Sequence, residues 1–103
     1  MTEVTINKED VVEALRAVED PELGMDIVDL GLLYDVAVEG PRVTVTYSLT
    51  SMGCPAGPLI EQDIARVVQE IPDVEAVDTE LTFDPPWTPE KMSEDAKFIL
   101  GIG

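Results

Sequence analysis

Histidine is absent from this chain of 103 residues, and cysteine occurs once, at Cys54. Without histidine, a Cys–His nucleophile pair and every His-containing zinc site are excluded. A lone thiol also forbids an internal disulfide and any Cys-x-x-Cys dithiol exchange. Basic residues are scarce, six against 22 acidic ones, for a net charge of -16. A phosphate backbone is held by clustered Lys and Arg, whereas Lys8, Arg16, Arg42, Arg66, Lys91 and Lys97 are scattered. Neither nucleic acid nor an anionic membrane is an expected partner. The acidic excess fits a salt-rich cytoplasm that screens self-repulsion, or plain solubility. Aromatic side chains are few, two Phe, two Tyr and one Trp, so aliphatic packing should dominate a core drawn from 45% apolar residues. The uncharged run 43–60 is too broken by Thr, Ser, Gly and Pro to span a bilayer. Met1-Thr2-Glu3-Val4 lacks the basic segment and apolar run of a secretion signal, and the expectation is an intracellular, cytoplasmic protein.

The length suits a single domain over 1–103, since halving it would leave too little surface to bury. Asn7 caps a first helix whose apolar face is Val11, Ala14, Leu15 and Val18, expected to run to about Asp20-Pro21. An acidic loop follows from Asp20 to Asp29, broken by Pro21 and Gly24. Tyr34, Val36 and Val38 alternate with polar positions, as do Val43, Val45, Tyr47 and Leu49, and Gly40-Pro41 joins the two as a hairpin. The second helix covers about 58–71 with Ile60, Ile64, Val67, Val68 and Ile71 on one stripe. Val77, Thr79, Leu81 and Phe83 make a third strand, and Thr88 with Pro89 opens a last helix closing near Gly101. The order helix, strand, strand, helix, strand, helix predicts an α+β two-layer domain, a small mixed sheet with helices mainly on one face. Its other face carries the polar row Arg42, Thr44, Thr46, Ser48 and Thr50 and tolerates water.

The strand-to-helix turn Thr50-Ser51-Met52-Gly53-Cys54-Pro55 carries the chemistry-bearing atom. Backbone N–H groups at a helix start favour anions, so a thiol placed there tends toward the thiolate that binds metal or attacks. The competing reading is a small buried Cys, with Gly53 and Gly57 serving tight turns and Met52 packing. One Cys per chain could hold iron or an iron–sulfur cluster only if a second subunit, a partner or a small ligand completed the shell, an arrangement suited to transfer. Asp20, Glu22, Asp26 and Asp29 offer hard oxygen donors, but their spacing matches no calcium loop, and solvated or turn-capping carboxylates are the alternative. Trp87, between Pro86 and Thr88, reads as a core plug or lid.

Three segments together, Asp20-Pro21-Glu22 with Asp29-Leu30-Gly31-Leu32, Thr50 with Gly53-Cys54-Pro55, and Pro85-Pro86-Trp87-Thr88, resemble the iron–sulfur cluster assembly factors that include SufT, PaaD and eukaryotic cytosolic targeting-complex subunits. The resemblance spans about residue 8 to Gly101. It implies an α/β fold akin to the NifU C-terminal domain and a part in maturing iron–sulfur proteins, with the reactive Cys at Cys54 and the acidic motif at Asp20 and Glu22. Cys54 would then bind iron or a cluster transiently, with Asp20, Glu22, Asp26, Thr50, Gly53, Pro55 and Trp87 shaping the surroundings. Partners would be assembly machinery and client apoproteins, and a homodimer is open. The rival readings are an adaptor that uses the open sheet face and the Trp87 region, and a thiol enzyme, which lacks a visible base.

Overall fold

The computed structural model describes residues 6–50 and 55–101, so Gly53 and Cys54 lie outside the described residues. Helix α1 is Lys8–Leu15, opened by the Asn7 side chain, which accepts a 2.8 Å hydrogen bond from Glu9 N. It stops at Leu15, earlier than expected, because turns close from Ala17 N to Ala14 O and from Val18 N to Leu15 O. Val18 is still buried, on the turn and not on the helix. The acidic loop is not wholly irregular. β1 (Glu19–Asp20) and β2 (Met25–Asp26) form a two-residue antiparallel ladder that folds the segment back on itself.

The main sheet holds β3 (Leu33–Glu39), β4 (Arg42–Tyr47) and β5 (Ala76–Leu81) in the order β3-β4-β5. β3 and β4 pair antiparallel through the expected hairpin, and β4 and β5 pair parallel. The parallel pairing follows from the connection: α2 (Gly57–Gln69) carries the chain from the end of β4 back to the start of β5. Val43, Val45 and Tyr47 point to the face where α1 and α2 lie, and they join Val11, Leu15, Ile60, Ile64 and Val68 in one core. The polar row expected on the other face holds for Arg42, Thr44 and Thr46, where Arg42 pairs with Asp78 of β5 at 2.6 Å. Ser48 departs from it. β4 ends at Tyr47, and Ser48 turns in, fully buried, its N–H donating to Leu32 O at 2.8 Å. Thr50 is only half-buried.

The C-terminal segment corrects another expectation. Thr88 opens a short 3-10 turn, Pro89–Lys91, without a side-chain cap. The helix proper, α3 (Glu94–Leu100), is capped by Ser93, whose hydroxyl accepts from Ala96 N at 3.1 Å. Ser93 N donates in turn to Asp29 O at 2.7 Å, which seats this segment on the end of the acidic loop.

Candidate functional site

The acidic loop is built by its own carboxylates. Asp20 Oδ1 accepts from Glu22 N at 2.8 Å, and Asp26 Oδ1 accepts from Val28 N at 3.0 Å and Asp29 N at 2.9 Å. Each closes an Asx-type turn of the kind short acidic side chains favour. Turn capping is therefore the structural use of both residues, but Asp20 is not solvated. It is 0% exposed, and its second oxygen, Oδ2, has no hydrogen-bond partner among the described residues. A buried carboxylate oxygen left unpaired is destabilising, which marks it as a ligand atom that the described residues leave unused.

Asp26 differs. Burial and the neighbouring Asp29 carboxylate raise its pKa above the ordinary 3.8, while the backbone N–H bonds pull the other way. Asp29 is held from outside by Arg16, whose guanidinium lies 3.5 Å from Oδ1. Glu22 is exposed.

This loop abuts the first half of α2. Ala17, Glu19 and Pro21 share a cleft of about 300 Å³ with Leu59 and Asp63. α2 begins at Gly57, with Pro58 in its first turn, no acidic residue there and no side-chain cap from Ala56. Its leading N–H groups thus keep their partial positive charge. Pro55, two positions before Gly57, is exposed. The loop that carries Asp20, whose Oδ2 has no partner among the described residues, thus abuts the helix that follows Cys54 in sequence. Among the described residues no group of three or more His, Cys, Asp or Glu could hold a metal ion. Any metal cargo here would need donors beyond them, and the chemistry present, one buried oxygen without a partner, is compatible with contributing one.

Trp87 belongs to a second region. Half-buried, it donates from Nε1 to Leu30 O at 2.7 Å, pinning the segment after β5 to the end of the acidic loop. Gly31, with φ +75, lets that segment close in. A Cβ there would overlap the Lys91 carbonyl and lie 2.8 Å from Lys91 Cβ. A bulge between Leu33 and Asp35 displaces Tyr34 from the β3 alternation, and the Tyr34 hydroxyl donates to Pro85 O at 2.8 Å. The Lys91 ammonium sits 5.2 Å from the centre of the Tyr34 ring. These contacts wall an open groove of about 790 Å³ on the face of the sheet away from α1 and α2, floored by Thr46, Glu80 and Thr82. Sequence reasoning anticipated the open, polar sheet face but not the groove built on it. Its available signals were Gly31 and the adjacent apolar pair Leu33-Tyr34, which breaks strict alternation.

Fold and site together define a small two-layer α+β domain in which a buried carboxylate sits in an acidic loop that abuts α2, and a polar groove opens on the sheet face away from α1 and α2. Residues 8–79 match the family described as iron-sulfur cluster assembly protein, and the chain belongs to that family. It is similar to the Fe-S protein maturation auxiliary factor YitW of Bacillus subtilis, 46% identical over 92% of this chain and 94% of that protein. It is likewise similar to the Fe-S protein maturation auxiliary factor SufT of Staphylococcus aureus, 49% identical over 81% of this chain and 96% of that one. A crystal structure of a domain of unknown function from Bacillus anthracis superposes with a TM-score of 0.88 at 42% identity, covering 93% of this chain and 92% of that one.

Proposed function

We propose that this protein is an auxiliary factor in iron–sulfur protein maturation that takes up iron or a cluster as cargo through Cys54 and passes it to client apoproteins in the cytoplasm. Transfer proceeds by exchange of ligands and not by catalysis. The observation that carries this reading is the buried Asp20 carboxylate with Oδ2 unpartnered among the described residues, in the acidic loop that abuts α2. A hard oxygen there suits iron, and the uncapped start of α2 favours an anionic sulfur near it. Because one thiol cannot complete a cluster's shell, the remaining ligands come from a client, an assembly protein, a small thiol or a second copy. A shell left open in this way loads and unloads without unfolding the carrier.

The test is anaerobic reconstitution with ferrous iron and sulfide, reading bound iron and visible absorbance for the wild type, Cys54→Ser and Asp20→Asn. The proposal expects Cys54→Ser to lose most of the uptake and Asp20→Asn to lose a substantial part. Uptake indifferent to Cys54→Ser would sink the cysteine-centred mechanism. It would favour a second reading, supported by the groove on the sheet face away from α1 and α2, in which the protein is an adaptor between assembly machinery and clients.

A further inference from the structure

The groove on the sheet face away from α1 and α2 has a charge pattern that selects its occupant. Two exposed carboxylates line it, Glu80 from β5 and Asp84 from the segment beyond, and among the described residues neither makes an ion pair or a side-chain hydrogen bond. The only cation on its wall, Lys91, is placed over the Tyr34 ring and forms no ion pair among the described residues. Tyr34 itself is fixed by its hydrogen bond to Pro85 O, so the wall is built before anything binds. Elsewhere on the same face the sheet satisfies its charges internally, as Arg42 does with Asp78 at 2.6 Å. The unmet negative charge is therefore local to the groove as well as general to a chain of net charge -16.

We infer that this groove is a docking site for an extended, basic segment of a partner protein, whose Lys or Arg side chains reach Glu80 and Asp84 while its apolar positions lie against Tyr34 and Pro85. The volume of about 790 Å³ is within the usual range for a bound ligand, and the groove is open to solvent, which admits a chain lying across it. Thr46 on the floor supplies a hydroxyl to the backbone of that chain, while the Thr82 hydroxyl is held by Asp84 N and Asp84 O at 3.2 and 3.3 Å. A second copy of this protein is a poor occupant, because it would bring a further charge of -16 to the same surface. Complementary charge of this kind sets the on-rate and the choice of partner. The proposal concerns where a partner docks, and it stands apart from the role given to Cys54.

The probe is a fluorescein-labelled octapeptide, Val-Lys-Thr-Arg repeated twice, titrated by anisotropy near physiological salt, where exposed charges farther apart than about 8 Å are largely screened. Binding is expected to weaken at least tenfold in Glu80→Gln/Asp84→Asn and less than twofold in Glu9→Gln/Glu75→Gln, which removes two exposed charges elsewhere. Amide shifts of labelled protein should cluster on Tyr34, Thr46, Glu80 and Thr82. Cys54→Ser should bind the peptide as the wild type does, so loss of metal uptake and loss of docking are read separately. Equal weakening in the two double variants, or shifts spread over the whole acidic surface or centred on the exposed Phe98 and Ile99 of α3, would overturn the proposal.

Discussion

Replacing Asp20 by Asn tests whether its buried oxygen is kept for a ligand at the expense of the fold. The substitution preserves shape and leaves Oδ1 to accept from Glu22 N at 2.8 Å, while Leu23 N and Gly24 N still bond the Asp20 carbonyl at 3.2 and 2.7 Å. What changes is Oδ2, fully buried and without a partner among the described residues. A buried polar group left unpaired costs roughly 1–3 kcal/mol, more if charged. The amide removes the charge but brings two N–H donors that need acceptors of their own, which takes back part of the gain. The net expectation is a stabilisation of about 1 kcal/mol, or roughly 4–8 °C in Tm for a domain of this size. Asp20→Ala should go the other way, since it also strips the acceptor from Glu22 N, a loss of about 1 kcal/mol. Urea unfolding followed by far-UV circular dichroism reads both variants, beside bound iron after anaerobic reconstitution. Higher stability with lower iron uptake is the signature of a residue held in place for binding. If Asp20→Asn is instead destabilised by more than about 1 kcal/mol, Oδ2 is a structural acceptor and the reasoning fails.

Gly31→Ala forces a side chain into a left-handed conformation, roughly 1–2 kcal/mol, and against the Lys91 backbone, for a total expected loss of about 2–4 kcal/mol. The fluorescence of Trp87, the one tryptophan, should move to longer wavelength as the segment lifts from Leu30; stability within about 0.5 kcal/mol of the wild type would show that the close approach is not needed. Asp26 has a raised pKa when folded, so its stabilising contribution is complete below about pH 3.8 and is lost as pH climbs through the folded value. Asp26→Asn mimics the protonated form, and thermal melts should find it more stable than the wild type at pH 7, with the gap closing toward pH 4; a gap that widens on acidification refutes the sign.

Local pattern carried much of the architecture. Alternation at Val43, Val45 and Tyr47 and the helical stripe Ile60, Ile64, Val67 and Val68 each report a face within one element, so strands and helices could be read before any partner was known. The same stripe explains why the core sits under α1 and α2. Boundaries were less legible where competing caps lie close together: Thr88 and Ser93 are both plausible starts, and Ser93 prevails because its N–H is also taken by Asp29 O. Ser48 continued the polar alternation on paper, but the strand ends one residue earlier and the hydroxyl goes inside.

By itself, then, the sequence determined the α+β class, the acidic surface, the lone thiol at Cys54 and the motifs by which the family is recognised. Folding in three dimensions buries Asp20 with one oxygen unused among the described residues, runs β5 parallel to β4 and opens a groove beside Tyr34. The groove depends on pairs such as Leu30 with Trp87, 57 residues apart, and Tyr34 with Pro85, 51 apart. No local periodicity encodes such pairs, because the chain entropy of bringing those segments together is offset only by the packing of the whole domain.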